Sequence, residues 1–168
     1  MGGCSFRDEV RIPKGARRNK DFVWKQFKRL QDEAEWEYGH GGYTGTIAEK
    51  GGVSIFYLPK LNDKKLGYLE NMLWDCDWNR DDKRWVMSPT DIACPRKGCD
   101  WKTREGCYKC KGKGRVTMTS KAMKELLGYA GIDDGQFNRM AELIQDKWGN
   151  ALALVGKTSL IFTGMASS

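Results

Sequence analysis

The sequence predicts an α+β fold in which helices and β-hairpins share one core and a cysteine-bearing segment is inserted. Three observations predict it. Apolar residues recur at helical spacing in four segments. Short β-rich runs flank glycine turns at two places. Four cysteines, Cys94, Cys99, Cys107 and Cys110, fall within one short, strongly basic stretch. With 168 residues, 40% hydrophobic and 30% charged, the chain has the composition of one foldable domain with room for a small insert. The expected organisation is a basic flexible arm over 1–19, an α+β core over 20–89 and 118–168, and the insert over 90–117.

Residues 1–19 read as irregular, with Pro13, Gly15 and a basic run at Arg17, Arg18 and Lys20. A helix then starts at an Asn19 or Asp21 cap. Val23, Phe27, Leu30, Ala34 and Tyr38 form its buried stripe, and Gly39 stops it. Residues 44–49 and 53–58 flank Lys50-Gly51-Gly52 and predict a hairpin closed by Pro59. A short helix follows over 64–74 through Leu66, Leu69, Met72 and Leu73. Residues 75–84 are polar and acidic, 85–87 read as a strand entering the cysteine segment, and 116–118 as a strand leaving it. Ser120 opens a helix with Met123, Leu126, Leu127 and Ala130 inward. Another runs from about Asp134 to Trp148, with Phe137, Met140, Ala141, Ile144 and Trp148 on its apolar face. The apolar runs 151–155 and 160–162 surround Gly156-Lys157-Thr158 and predict a closing hairpin.

The net charge of +7 is unevenly spread. Residues 1–30 hold nine Lys/Arg against three Asp/Glu, residues 94–125 hold ten against three, and the rest of the chain is acidic. Two basic segments on an acidic body suit a partner rich in phosphate or carboxylate. No apolar stretch approaches the roughly 20 residues of a membrane span. The start, MGGCSF, is followed by no apolar signal region. It departs from the acylation pattern at Phe6, where Ser or Thr is required. A cytoplasmic, reducing setting is expected, and there cysteines serve as thiolates more readily than as disulfides.

The cysteine spacing is C-x4-C-x7-C-x2-C. Zinc takes four tetrahedral ligands and accepts thiolates as soft donors, so the spacing predicts one structural zinc ion. Glycines after the second pair allow the chain to bend tightly, so that backbone amides can turn toward the sulfurs. Arg96, Lys97, Lys102, Arg104, Lys109, Lys111 and Lys113 offset the negative charge of a four-thiolate site and leave its surface basic. With every ligand position filled by cysteine, no open catalytic position is expected. Cys4 and Cys76 read as bystanders. Trp101 lies inside this segment, where it packs over the metal or stacks on a base.

Residues 107–114, CYKCKGKG, resemble one CxxCxGxG repeat of the cysteine-rich region of DnaJ-type co-chaperones. That resemblance implies a zinc turn. No HPD signature accompanies it, and CPRKGC is an imperfect partner repeat. GYTGTIAEK at 42–50, DKWGNALAL at 146–154 and IFTGMASS at 161–168 resemble pieces of small bacteriophage-encoded proteins of unknown function, which implies a phage provenance and residence in the host cytoplasm. ELLGYAGIDDGQFNRM at 125–140 resembles a prokaryotic helix-turn-helix, but Asp133 and Asp134 begin the would-be reading helix and repel phosphate. Two packed helices with a tight turn satisfy the same pattern.

Other chemistry has thinner support. Gly156-Lys157-Thr158 lacks the earlier glycine of a phosphate-binding loop. The alternating Asp75, Asp77, Asn79 and Asp81 carry Arg80 where a calcium loop needs glycine. The expected function is therefore non-catalytic: a zinc-stabilised basic protein engaging nucleic acid or a nucleoprotein through Arg17, Arg18, Lys20, Arg96, Lys97, Trp101, Lys102, Arg104, Lys109, Lys111 and Lys113. The alternatives are a module that binds an acidic host protein, and a small enzyme using His40 or the Asp75–Asp77 pair, the latter with magnesium. No membrane partner is expected.

Overall fold

The computed structural model describes residues 3–39, 44–95, 107–111 and 113–167. Its frame is a four-stranded sheet in the order β1-β8-β7-β2, covered by helices on both faces. The α+β class predicted from sequence is the class observed.

Strand β1 (Gly3–Arg11) is the first departure from expectation. The flexible arm expected over 1–19 is, over 3–11, an edge strand paired antiparallel with β8 (Ser159–Ser167), from Gly3 opposite Ser167 to Arg11 opposite Ser159. Period-two patterning underlies it: Phe6 and Ile12 are buried, Val10 is half-buried, and Arg7, Glu9 and Arg11 face out. Helix α1 (Lys20–Tyr38) follows, capped by Asn19, whose side chain accepts from the Phe22 N–H at 3.0 Å. Val23 and Phe27 are buried as expected and Gly39 ends the helix at φ 93°. Tyr38, expected on the buried stripe, is 58% exposed, and Gln31 is buried in its place, donating to the carbonyls of Ile47 and Lys50.

The hairpin expected over 44–58 does not form. Ile47–Glu49 is a 3-10 turn, and β2 (Val53–Tyr57) pairs parallel with β7 (Ala151–Val155), Val53 opposite Ala151 and Tyr57 opposite Val155. Helix α2 (Asp63–Trp74) buries Leu66, Leu69, Met72 and Leu73. A small hairpin, β3 (Asp77–Asn79) with β4 (Arg84–Val86), and a second two-stranded pair, β5 (Thr90–Ala93) with β6 (Arg115–Met118), lead into and out of the cysteine segment. Helices α3 (Ser120–Ala130) and α4 (Asp134–Gln145) meet at Gly131, left-handed at φ 76°, and Asp133 caps α4 in a capping box with Gln136. Trp148, expected on the apolar face of this helix, lies beyond its end and is 66% exposed.

Strand β7 reads ALALV and is buried throughout, because both of its faces are covered. Leu152 and Leu154 join α2, α3 and α4 in one apolar cluster. Ala151, Ala153 and Val155 join Phe6, Val23, Phe27 and Ile47 in the other. The sheet thus separates a layer holding α1 from a layer holding the other three helices. Gly156-Lys157-Thr158 makes the expected turn between β7 and β8, with the Gly156 N–H donating to the Ser159 carbonyl at 2.8 Å.

The segments at 42–50, 146–154 and 161–168 come together in space through their described residues. Glu49 Oε2 accepts from the Ser167 N–H and hydroxyl at 2.9 and 2.6 Å. The buried Lys50 ammonium donates to the carbonyls of Asp146 and Lys147 at 2.8 and 3.1 Å, tying the 3-10 turn to the end of α4.

Candidate metal centre

The β5–β6 ladder builds the site. Pairing of Thr90 with Met118 and of Ala93 with Arg115 brings the two ends of the insert side by side. The ladder is reinforced across the strands: the Thr117 hydroxyl donates to Asp91 Oδ1 at 2.6 Å and Arg115 donates to the Asp91 carbonyl at 2.6 Å. One residue past the ladder, the Cys94 N–H donates to the Gly114 carbonyl at 2.9 Å. Gly114 stands at φ 71°, a left-handed value suited to glycine. Lys111 is also left-handed, at φ 48°, so the tight bend does not fall on glycines alone. Within the turn, the Lys111 N–H donates to the Cys107 carbonyl at 2.8 Å and the Lys113 N–H to the Cys110 carbonyl at 3.0 Å.

This folding gathers Cys94, Cys107 and Cys110. All three are buried, and their sulfurs lie within 4.8 Å of one another, with Cys94 and Cys107 3.6 Å apart. Four sulfurs about 2.3 Å from a tetrahedral ion stand about 3.8 Å from each other, and the Cys94–Cys107 separation is close to that value. The cluster could hold a metal ion. Among the described residues, half-buried Val116 is the apolar side chain that packs against it. Cys99 lies outside the described residues, as do Arg96, Lys97, Trp101, Lys102 and Arg104.

The centre docks on α2 through contacts that no local sequence signal announces. Lys64 Nζ donates to the Cys94 carbonyl at 3.3 Å, and the Tyr68 hydroxyl donates to the Ala93 carbonyl at 3.2 Å. Burial, with the Cys94 charge adding to it, raises the Tyr68 pKa, which keeps this hydroxyl a donor at neutral pH. The cations of the turn, Lys109, Lys111 and Lys113, are exposed.

Arg17, Arg18 and Lys20 are exposed too, but they lead into α1, on the other layer from β5, β6 and the cysteines. Among the described residues, Arg17, Arg18 and Lys20 therefore belong to a different layer from Lys109, Lys111 and Lys113. Among the remaining candidates, His40 lies outside the described residues. Asp75 is the C-cap of α2, and Asp77 accepts from the Ser88 hydroxyl. Cys76 is buried, its thiol donating to the Leu73 carbonyl, and burial pushes its pKa up to about 11, so it stays a protonated core residue as expected. Cys4 is exposed on the edge strand. Among the described residues no helix is long and apolar enough to cross a membrane. No family model, no curated protein and no solved structure matches this chain.

Proposed function

We propose that the cysteine cluster is a structural zinc site completed by Cys99, and that the protein is a non-catalytic binding module, of phage provenance, whose metal-shaped basic turn engages nucleic acid or a nucleoprotein. The observation that carries the reading is the convergence of three buried sulfurs within 4.8 Å of one another in a turn that also carries the exposed Lys109, Lys111 and Lys113. Thiolates are soft donors and favour zinc among the common divalent ions. A fourth cysteine closes the coordination sphere and leaves no place for an activated water. Zinc then fixes a turn whose cysteines have, among the described residues, only Val116 packed against them. The fixed turn presents lysines whose contacts with phosphate release counterions.

Elemental analysis of purified protein tests the metal, with one zinc per chain expected. Fluorescence titration of a labelled oligonucleotide at two salt concentrations tests the partner: affinity falls steeply with salt if phosphates are neutralised, and a flat response rejects the reading. Nuclease treatment before co-purification separates the rival: an acidic protein that is retained after the nucleic acid is digested would make this a protein-binding module.

A further inference from the structure

The β3–β4 hairpin places two tryptophans directly opposite each other, Trp78 across from Trp85, with ring centroids 5.4 Å apart at an interplanar angle of 63°. Trp85 is held in place: its backbone N–H donates to Asn138 Oδ1 on α4 at 2.6 Å. Trp78 leans on it edge-to-face and remains 49% exposed. Two clefts flank the pair. One, of about 430 Å³, is lined by Trp78, Trp85, Lys83 and Arg139 among others. The other, of about 350 Å³, is lined by Trp85, Phe137 and Lys124 among others. Trp85 and Asn138 line both, so the two clefts adjoin at these residues, and together they make up the trough between the hairpin and helices α3 and α4.

The charge of this trough is biased. Lys83, Arg84, Lys124 and Arg139 line it against Asp134 and Glu142. Arg84 pairs with Asp82 at 3.3 Å. Among the described residues Lys83 and Arg139 carry no ion pair. A large exposed aromatic face beside unpaired cations is the chemistry that takes an unstacked base and its phosphates. Duplex DNA does not offer such a base, and Asp133 and Asp134 at the start of α4 oppose insertion into a groove.

We propose that the Trp78–Trp85 trough is a binding site for single-stranded nucleic acid, in which one base stacks on Trp78 and the adjoining phosphates lie against Lys83 and Arg139. This deepens the nucleic-acid reading above and rests on it, but it places the specific contact away from the metal turn.

The test uses the full chain and a fluorescein-labelled oligothymidylate, with a duplex of equal length beside it. The wild type binds the single strand more tightly than the duplex, and its tryptophan emission is quenched on binding. Trp78→Ala weakens single-strand binding about 5- to 150-fold, the range for loss of one stacked base, and Trp78→Tyr retains most of the affinity. Lys83→Ala with Arg139→Ala, both on the surface, lowers the slope of log affinity against log salt by about 1.4, or about 0.7 per phosphate contact. If the wild type binds single strands and these variants bind equally well, the trough is overturned while the nucleic-acid reading stands. If the wild type binds no nucleic acid, both fall. If polyglutamate displaces the strand as well as unlabelled oligothymidylate does, the site is a plain cation patch and the stacking assignment is overturned.

Discussion

Replacing Glu49 by Gln tests how the C-terminal edge of the sheet is held. Each oxygen of this half-buried carboxylate serves donors only. Oε1 accepts from the Gly45 N–H at 2.6 Å and the Thr44 hydroxyl at 3.2 Å. Oε2 accepts from the Ser167 N–H at 2.9 Å and the Ser167 hydroxyl at 2.6 Å. An amide of the same shape turns one acceptor into an NH2 group. Whichever way it is placed, that group meets a backbone N–H, from Gly45 or from Ser167. At least one charge-assisted bond is lost and two donors confront each other. Charged hydrogen bonds contribute about 1.5–3 kcal/mol each, and partial solvent access lets water relieve the orphaned donor, so the cost is about 2 kcal/mol. For a domain of this length that lowers the melting midpoint by about 4–8 °C.

The same site has a pH signature. Burial alone would raise the Glu49 pKa, but the hydrogen bonds from Ser167, Gly45 and Thr44 outweigh it and hold the pKa below its ordinary value of 4.5. The depressed folded value means that the stabilisation is fully present above the unfolded pKa and is lost as pH falls through the folded one. The stability gap between wild type and Glu49→Gln is therefore constant near neutrality and narrows below about pH 4.5. Urea denaturation of both proteins across this range measures it. A gap that stays the same down to pH 3, or a variant as stable as wild type at pH 7, would refute the account of this carboxylate.

Three further outcomes are expected. If the cysteines hold a metal, its chelation, or Cys110→Ser, speeds amide exchange across 107–118 by about tenfold or more while β7 and β8 keep their protection, since among the described residues only Val116 packs on the cysteines and the sheet has both faces covered; hydrogen exchange by mass spectrometry reads both. Asp133→Ala removes the capping box of α4 and costs about 1 kcal/mol, a drop of about 2–4 °C in the thermal midpoint. Gly156→Ala pushes a methyl to 3.1 Å from the Leu61 carbonyl oxygen and 2.9 Å from Leu66 Cδ2, and the overpacked turn loses about 1–3 kcal/mol by denaturant titration.

What could be read ahead of the structure was local. Val23 and Phe27 at helical spacing after Asn19 marked α1, and the run around Gly156 marked the β7–β8 hairpin, because cap, period and turn chemistry all lie within a few residues of one another. The cysteine spacing brought out three of its members for the same reason. The failures were long-range. Strand β1 hid because Asp8 interrupts its alternation and its partner lies at the far end of the chain. Strand β2 was assigned a neighbouring partner, yet its hydrogen bonds go to β7, about a hundred residues on, in a parallel register that no turn can specify. The sequence places Glu49 at the end of a β-rich run and Lys50 in a glycine turn, and only the folded chain shows one receiving Ser167 and the other reaching the end of α4.

These ties divide the molecule. On the α1 side of the sheet, β1, the 3-10 turn and the chain end are locked together by Phe6, Ile47, Lys50 and Glu49. Between α2 and α3 the chain makes two successive excursions, the Trp78–Trp85 hairpin and the cysteine turn, anchored by Trp85, Ile92 and Met118 on the main apolar cluster and by polar contacts to neighbouring helices: Trp85 to Asn138, Ala93 to Tyr68, Cys94 to Lys64. Small two-stranded ladders of this kind are barely stable alone. The aromatic pair stiffens one, and a metal held by the three sulfurs would stiffen the other. On the function proposed above, the lysines of the turn and the exposed Trp78 ring meet the partner, and both lie outside the four-stranded sheet. Removing a metal from the cysteine cluster would then loosen binding before it unfolds the sheet, whose two apolar clusters do not include the three cysteines.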